Sequence, residues 1–140
     1  MYITHCLVFN IYIVSHDVWY YIFHRLLHTK YFYYIHKKHH KKLHNQLTYL
    51  DAYVGEIIEF PLETMGICIP LIIKQEQIKE NTYIFFCALL FIFIRNLMQH
   101  DKRFIWLIGN HHLIHHKLPN YNYGEYWIDK MCGTNYNKKM

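Results

Sequence analysis

Residues 6–28 read CLVFNIYIVSHDVWYYIFHRLLH, an apolar run from Cys6 to Phe23, interrupted by Ser15, His16 and Asp17, that leads straight into His24-Arg-Leu-Leu-His28. A stretch this long and this apolar reads as a membrane-competent helix. His24 and His28, four residues apart, then share one face at its polar end. Two further apolar stretches follow, IIEFPLETMGICIPLII at 57–73 and TYIFFCALLFIFIRNLM at 82–98. As helices, all three reach about 26 Å, enough for a thin bilayer. The second carries Glu59, Pro61, Glu63 and Pro70 and suits a straight spanning helix least. Between the second and third lies KQEQIKEN, Lys74 to Asn81, a short polar connection that makes them an antiparallel hairpin.

The bulk composition agrees with an ordered, partly lipid-embedded chain of one domain, residues 1–140. Apolar residues make up 53% and aromatics 19%, with only five Gly and three Pro, which excludes disorder. Mean hydropathy is near zero (−0.08) because very polar and very apolar blocks cancel. Cys6, Cys68, Cys87 and Cys132 are scattered without a C-x-x-C pair, so neither a disulfide framework nor a cysteine-type zinc site is expected. The net charge of +5 is concentrated in two blocks, and of all the Lys and Arg only Lys74 and Lys79 lie in the hairpin connection. By the positive-inside bias, the face opposite that connection is cytoplasmic.

That same face holds the histidines. His36-Lys-Lys-His39-His40 and His112-Leu-Ile-His115-His116 repeat one pattern, H-x-x-H-H, with i, i+3, i+4 spacing. Neutral imidazole is a good ligand for iron, zinc and copper, and a site needs several aimed at one point from rigid elements. With His24 and His28 the blocks offer more nitrogens than one tetrahedral ion takes, and enough for two metals with positions left open. His100, at the end of the third apolar stretch, is a further candidate ligand, with Asn96 one turn before it. A lone histidine on a helix is usually a core or surface residue, and His5 and His44 are read so. His111 points about 100° away from His112 on a helix. Asp17, two turns before His24, is placed to accept an imidazole N–H and fix its tautomer. His16 is read as a neighbour of that arrangement or polar filler, and Trp127 and Asp129 as closing the tail over the site within a short helix near Trp127 to Cys132.

At these residues the chain resembles the fatty acid hydroxylase / sterol desaturase superfamily of membrane di-iron oxygenases. The resemblance rests on Asp17-Val-Trp-Tyr-Tyr-Ile-Phe-His24-Arg-Leu-Leu-His28, on Tyr33-Tyr-Ile-His36-Lys-Lys-His39-His40-Lys, and on Phe60-Pro61-Leu62-Glu63. It continues through the run His111 to His116 and the closing Asn122-Tyr-Gly124, Trp127-Ile-Asp129 and Gly133-Thr134. It extends from about Asp17 to Tyr136, and the wording is nearest the sterol C4-methyl oxidase and sterol hydroxylase branch. The sixteen residues before Asp17 are fewer than such relatives usually carry, and His100-Asp-Lys-Arg replaces their usual small-residue wording.

The resemblance implies an all-α integral membrane protein whose apolar helices are topped by a cytoplasmic histidine-rich helical cap. Two Fe would be held by His24, His28, His36, His39, His40, His100, His112, His115 and His116, with Asp17 and Asn96 behind them. It implies O2 as co-substrate, electrons from NAD(P)H, commonly through cytochrome b5, and hydroxylation or desaturation of a sterol or fatty acyl lipid at the endoplasmic reticulum or a similar membrane. Two other readings compete. One is a catalytically silent metal- or lipid-binding homologue. The other is a basic nucleic-acid-binding protein using Tyr31 to Lys42, against which the apolar stretches and the ordered histidine spacing argue.

Overall fold

Almost no charge interrupts the first quarter of the chain, and it forms one long helix, α1 (Tyr2–Leu27). This computed structural model describes residues 2–73 and 82–136, and among them every regular element is helical. After α1 come α2 (Tyr33–His36) and three 3-10 turns, His39–Lys41, His44–Gln46 and Tyr49–Tyr53. Then follow α3 (Glu59–Thr64), a 3-10 turn Met65–Cys68, α4 (Ile69–Ile73) and the long α5 (Thr82–Gln99). A 3-10 turn Lys102–Phe104 leads to the short α6 (Ile105–Ile108), α7 (His111–Lys117) and α8 (Tyr126–Cys132). The connection Lys74 to Asn81, read above as the tip of a hairpin, lies outside the described residues.

Two helices, Thr4–Leu27 and Thr82–Gln99, are long and apolar enough to cross a membrane. Their exposed residues identify the lipid-facing sides: Leu7, Ile11, Val14, Val18 and Ile22 form a stripe at helical spacing on α1, and Phe86, Leu90, Phe93 and Ile94 form another on α5. Apolar stripes left open to the surroundings are what a bilayer, rather than water, stabilises. The protein is a helical membrane protein.

The middle apolar stretch breaks where its prolines predict. Pro61 and Pro70 lie in the first turns of α3 and α4, and a 3-10 turn joins the two helices. That turn is pressed onto α1: a Cβ on Gly66 would stand 2.3 Å from Trp19 Cβ, so only glycine allows this approach. The Trp19 indole N–H donates to the Leu62 carbonyl at 2.7 Å across the same contact. Tyr12, Ile67, Ile84, Ala88 and Ile92 close the core where the three apolar segments meet.

Polar residues inside the apolar helices satisfy one another. The Asp17 carboxylate accepts from the two terminal guanidinium nitrogens of Arg95 and stands 3.3 Å from His16 Nδ1. Arg95 Nε is also 3.4 Å from Glu125, which accepts from Gln99 at 2.6 Å. An intramembrane charge is tolerated when paired in this way. The network ties α1, α5 and the tail together below the histidines.

Candidate metal centre

Nine histidines from five segments converge at one end of α1 and α5. His24 lies in the last turn of α1 and His28 one residue past its end, His36 ends α2, His39 and His40 sit in the following 3-10 turn, His100 follows α5, and His112, His115 and His116 lie on α7. The first H-x-x-H-H is therefore an α-turn running into a 3-10 turn, whereas the second is one α-helix.

They separate into two groups. His24, His28, His36, His40 and His115 each place a ring nitrogen within 4.8 Å of every other, and His39, His100, His112 and His116 do the same. The two H-x-x-H-H blocks contribute in opposite senses. His36 and His40 go to the five-histidine group while His39 goes to the four; His112 and His116 go to the four while His115 goes to the five.

The rings are oriented from behind. His24 Nδ1 donates to the Tyr123 carbonyl at 2.6 Å, His115 Nδ1 to Tyr121 at 2.7 Å, His100 Nδ1 to Asn96 at 2.8 Å and His39 Nδ1 to Val54 at 3.2 Å. His36 Nδ1 donates to the Glu59 carboxylate at 2.5 Å, whose other oxygen accepts from the Glu56 N–H. A neutral imidazole that donates through Nδ1 presents a bare lone pair at Nε2. His24 Nε2 and His36 Nε2 nevertheless stand 2.9 Å apart, and His39 Nε2 and His100 Nε2 stand 3.0 Å apart. Two facing lone pairs repel unless a cation lies between them. Nitrogens bound at about 2.1 Å to a shared ion sit about 3 Å from each other, so the donor set fits a metal in each group. His28 Nε2, buried without a partner, is a further nitrogen of the five-histidine group open to a metal.

Burial keeps these rings neutral. It holds His28 and His100 down to about 4 and His115 to about 3, and it pushes His36, His39, His40, His112 and His116 well below the usual imidazole range, where the surrounding imidazoles add to the effect. Neutral rings are the ligating form.

Asp17 does not stand behind His24. Its carboxylate is taken by Arg95 and His16, and the Tyr123 carbonyl occupies the place behind the His24 ring. Asn96 does stand behind His100, through its main-chain carbonyl. His111 faces away from both groups and meets Asp129 at 2.9 Å. Asp129 also accepts from the Tyr123 and Gly124 N–H groups and from the Thr134 hydroxyl, fastening the loop that presents the Tyr121 and Tyr123 carbonyls. Asn122 takes a left-handed backbone (φ 59°), which asparagine tolerates, and bridges the His111 carbonyl and the Tyr136 N–H. The Tyr121, Tyr123 and Val54 carbonyls and Glu59 escaped the sequence reading. Their only local signal was the N-Y-G turn and a carboxylate four residues before Glu63.

An apolar cavity of about 470 Å³ opens beside the histidines. Phe86, Leu90 and Phe93 of the exposed α5 stripe, with Leu89, form its open apolar side, and Tyr20, Glu63, Arg95, Asn96, Gln99 and Glu125 its polar wall. Tyr20 packs on the His24 ring with centroids 5.0 Å apart, Asn96 holds His100, and Glu63 clusters with Glu59 and His36. The polar wall thus touches both histidine groups.

Comparison with curated proteins and with solved structures returns no match. The model of the fatty acid hydroxylase family, by contrast, matches residues 9–134, a span that contains most of α1, all of α5, all nine converging histidines and the Asp129 clasp. On that match, the chain belongs to the fatty acid hydroxylase family, within the fatty acid hydroxylase / sterol desaturase superfamily.

Proposed function

We propose that this protein is a membrane non-haem di-iron oxidoreductase that uses O2 and reducing equivalents to hydroxylate or desaturate a lipid. One observation carries the reading: two separate all-histidine groups, each with a pair of lone pairs facing at about 3 Å, adjoin an apolar cavity of lipid-chain character. The five-histidine group would hold one iron and the four-histidine group the other. Iron bound there supplies the oxygen activation that an unactivated C–H bond requires.

The chain's own residues account for the rest. Carbonyls of Tyr121, Tyr123, Val54 and Asn96, with the Glu59 carboxylate, hold the Nδ1 protons of His115, His24, His39, His100 and His36 and so aim the Nε2 atoms of these five rings inward. The apolar side of the cavity, continuous with the exposed stripe of α5, would take an alkyl body from the bilayer and lay it beside the histidines. Lys37, Lys38, Lys41 and Lys42, exposed beside His39 and His40, offer a positive surface for an acidic electron donor such as cytochrome b5, with NAD(P)H as the ultimate source. The concentration of Lys and Arg at this end supports a cytoplasmic face in the endoplasmic reticulum or a similar membrane. The sterol C4-methyl oxidase and sterol hydroxylase branch is the proposed neighbourhood within the family.

The test is twofold. Protein purified in detergent should contain about two iron per chain, and cells expressing it should accumulate an oxidised sterol or acyl lipid only when oxygen is supplied. Stoichiometric iron with an unchanged lipid profile would instead identify a catalytically silent metal-binding homologue.

A further inference from the structure

Two buried tyrosines lead away from the five-histidine group, on the side remote from the cavity lining. The Tyr123 ring lies 5.4 Å from that of His28, 5.6 Å from His115 and 6.3 Å from His24, centroid to centroid. Tyr21 stands edge-on to Tyr123 at 6.5 Å, and the two pack with Ile128 in a small core of their own. What sets Tyr21 apart is its hydroxyl. The phenolic oxygen accepts from Arg25 at 3.1 Å and lies 3.2 Å from Thr134 Oγ1. Thr134 donates its single proton to the Asp129 carboxylate at 2.6 Å, so its oxygen is left to accept from Tyr21. Tyr21, Thr134 and Asp129 thus form a directed row of hydrogen bonds from a phenol to a fully buried carboxylate. Tyr20 and Tyr33 also touch histidine rings, 5.0 Å from His24 and 5.9 Å from His28, but among the described residues no such row leads from their hydroxyls to a carboxylate.

A phenolic O–H bond is weaker than an unactivated C–H bond. An oxidant raised at the histidines that is strong enough for the second therefore also draws on a phenol within reach, and a phenol yields its electron when its proton has a base to go to within hydrogen-bond distance. Building on the oxygenase reading, we propose that Tyr123 and Tyr21 form an outlet for oxidising equivalents that meet no lipid, with Tyr21 as the residue that holds the radical. The step balances between the chain and the metal. One electron passes from Tyr21 through the Tyr123 ring, which ends unchanged, and lowers the oxidised iron by one oxidation level. The Tyr21 proton moves to Thr134 as the Thr134 proton moves to Asp129, leaving a neutral tyrosyl radical and a neutral Asp129 acid. A soluble one-electron reductant of the ascorbate class returns the electron, and the protons run back along the same row.

The experiment needs neither lipid nor electron donor. The full chain, iron-loaded in detergent, is mixed with hydrogen peroxide, frozen at once and read by electron paramagnetic resonance. A tyrosyl signal should appear, should narrow when the tyrosines are ring-deuterated, and should be lost in Tyr21→Phe at unchanged iron content. Tyr123→Phe, which keeps a ring but not a phenol, should delay the signal. A ring-fluorinated tyrosine at position 21 keeps the hydroxyl and its hydrogen bonds, so it carries the test even where Tyr21→Phe loosens the tail, and it should split the signal by fluorine coupling. Peptide mass spectrometry gives a second readout: oxidation of His24, His28 and His115 should rise several-fold in Tyr21→Phe. No tyrosyl signal, a signal that survives Tyr21→Phe or stays unsplit by the fluorinated residue, unchanged timing in Tyr123→Phe, or equal histidine oxidation would each overturn the proposal. A separate assay with oxygen, reductant and lipid tests the oxygenase reading by itself. A Tyr21 radical without lipid oxidation would sink that reading and leave the outlet standing, and lipid oxidation without the radical would do the reverse.

Discussion

At the scale of single residues, the informative unit is a ring together with the group behind it. His39 belongs to the four-histidine group, so His39→Ala should lower bound metal from about two equivalents to about one, read by elemental analysis. Glu59 accepts the Nδ1 proton of His36, so Glu59→Ala should weaken metal retention about 10- to 100-fold in a chelator competition. The pH dependence follows from the depressed histidines. Below the unfolded value of about 6.5, the unfolded chain takes up protons that the folded groups refuse, so stability falls as pH falls. For His28 and His100 that loss continues to about 4, where the folded rings protonate. Melting temperature of the metal-free protein should therefore decline steadily from pH 6.5 to 4, and metal should leave over the same window. A flat profile there would contradict the buried, neutral rings.

At the scale of elements, the contact between α1 and the turn Met65–Cys68 sets how closely α3 approaches the histidines. Gly66→Val would drive a side chain into Trp19 and the Ser15 carbonyl, costing about 1–3 kcal/mol, measurable as a lowered melting temperature, and it should displace Glu59 from His36 as well. The helices themselves were legible from sequence because periodicity and apolar length are local properties: α1, α5 and the proline-broken middle segment all follow from their own residues. The spacing of the nine histidines was legible for the same reason. Their division into five and four was not, since it depends on how α7 meets the His36–His40 turn some seventy positions earlier. Asp17 shows the limit most plainly. Two helical turns from His24, it is on the right face, but Arg95 arrives from α5 and takes its carboxylate.

At the scale of the whole molecule, the bilayer-facing helices and the histidine cap are joined by two devices, the Asp17–Arg95–Glu125–Gln99 network and the Asp129 clasp. Asp129→Ala would release the Tyr123 and Gly124 N–H groups, Thr134 and His111 together. The expected outcome is loss of metal with both apolar helices still in place: reduced metal content, unchanged membrane fractionation and new protease cutting between Pro119 and Gly133. Full metal content in that variant would show that the tail only covers the site.

The clasp also sets an order of events in the making of this protein. Two of the carbonyls that aim the histidines, those of Tyr121 and Tyr123, are held by a residue further along the chain, and Thr134 completes the hold. A ribosome that has delivered α1, α5 and even α7 into the membrane has made every histidine and still not made the site. On the proposed function, metal uptake would follow closure of the clasp, because a chain that stalls short of it would carry the histidines without the held carbonyls that aim two of them.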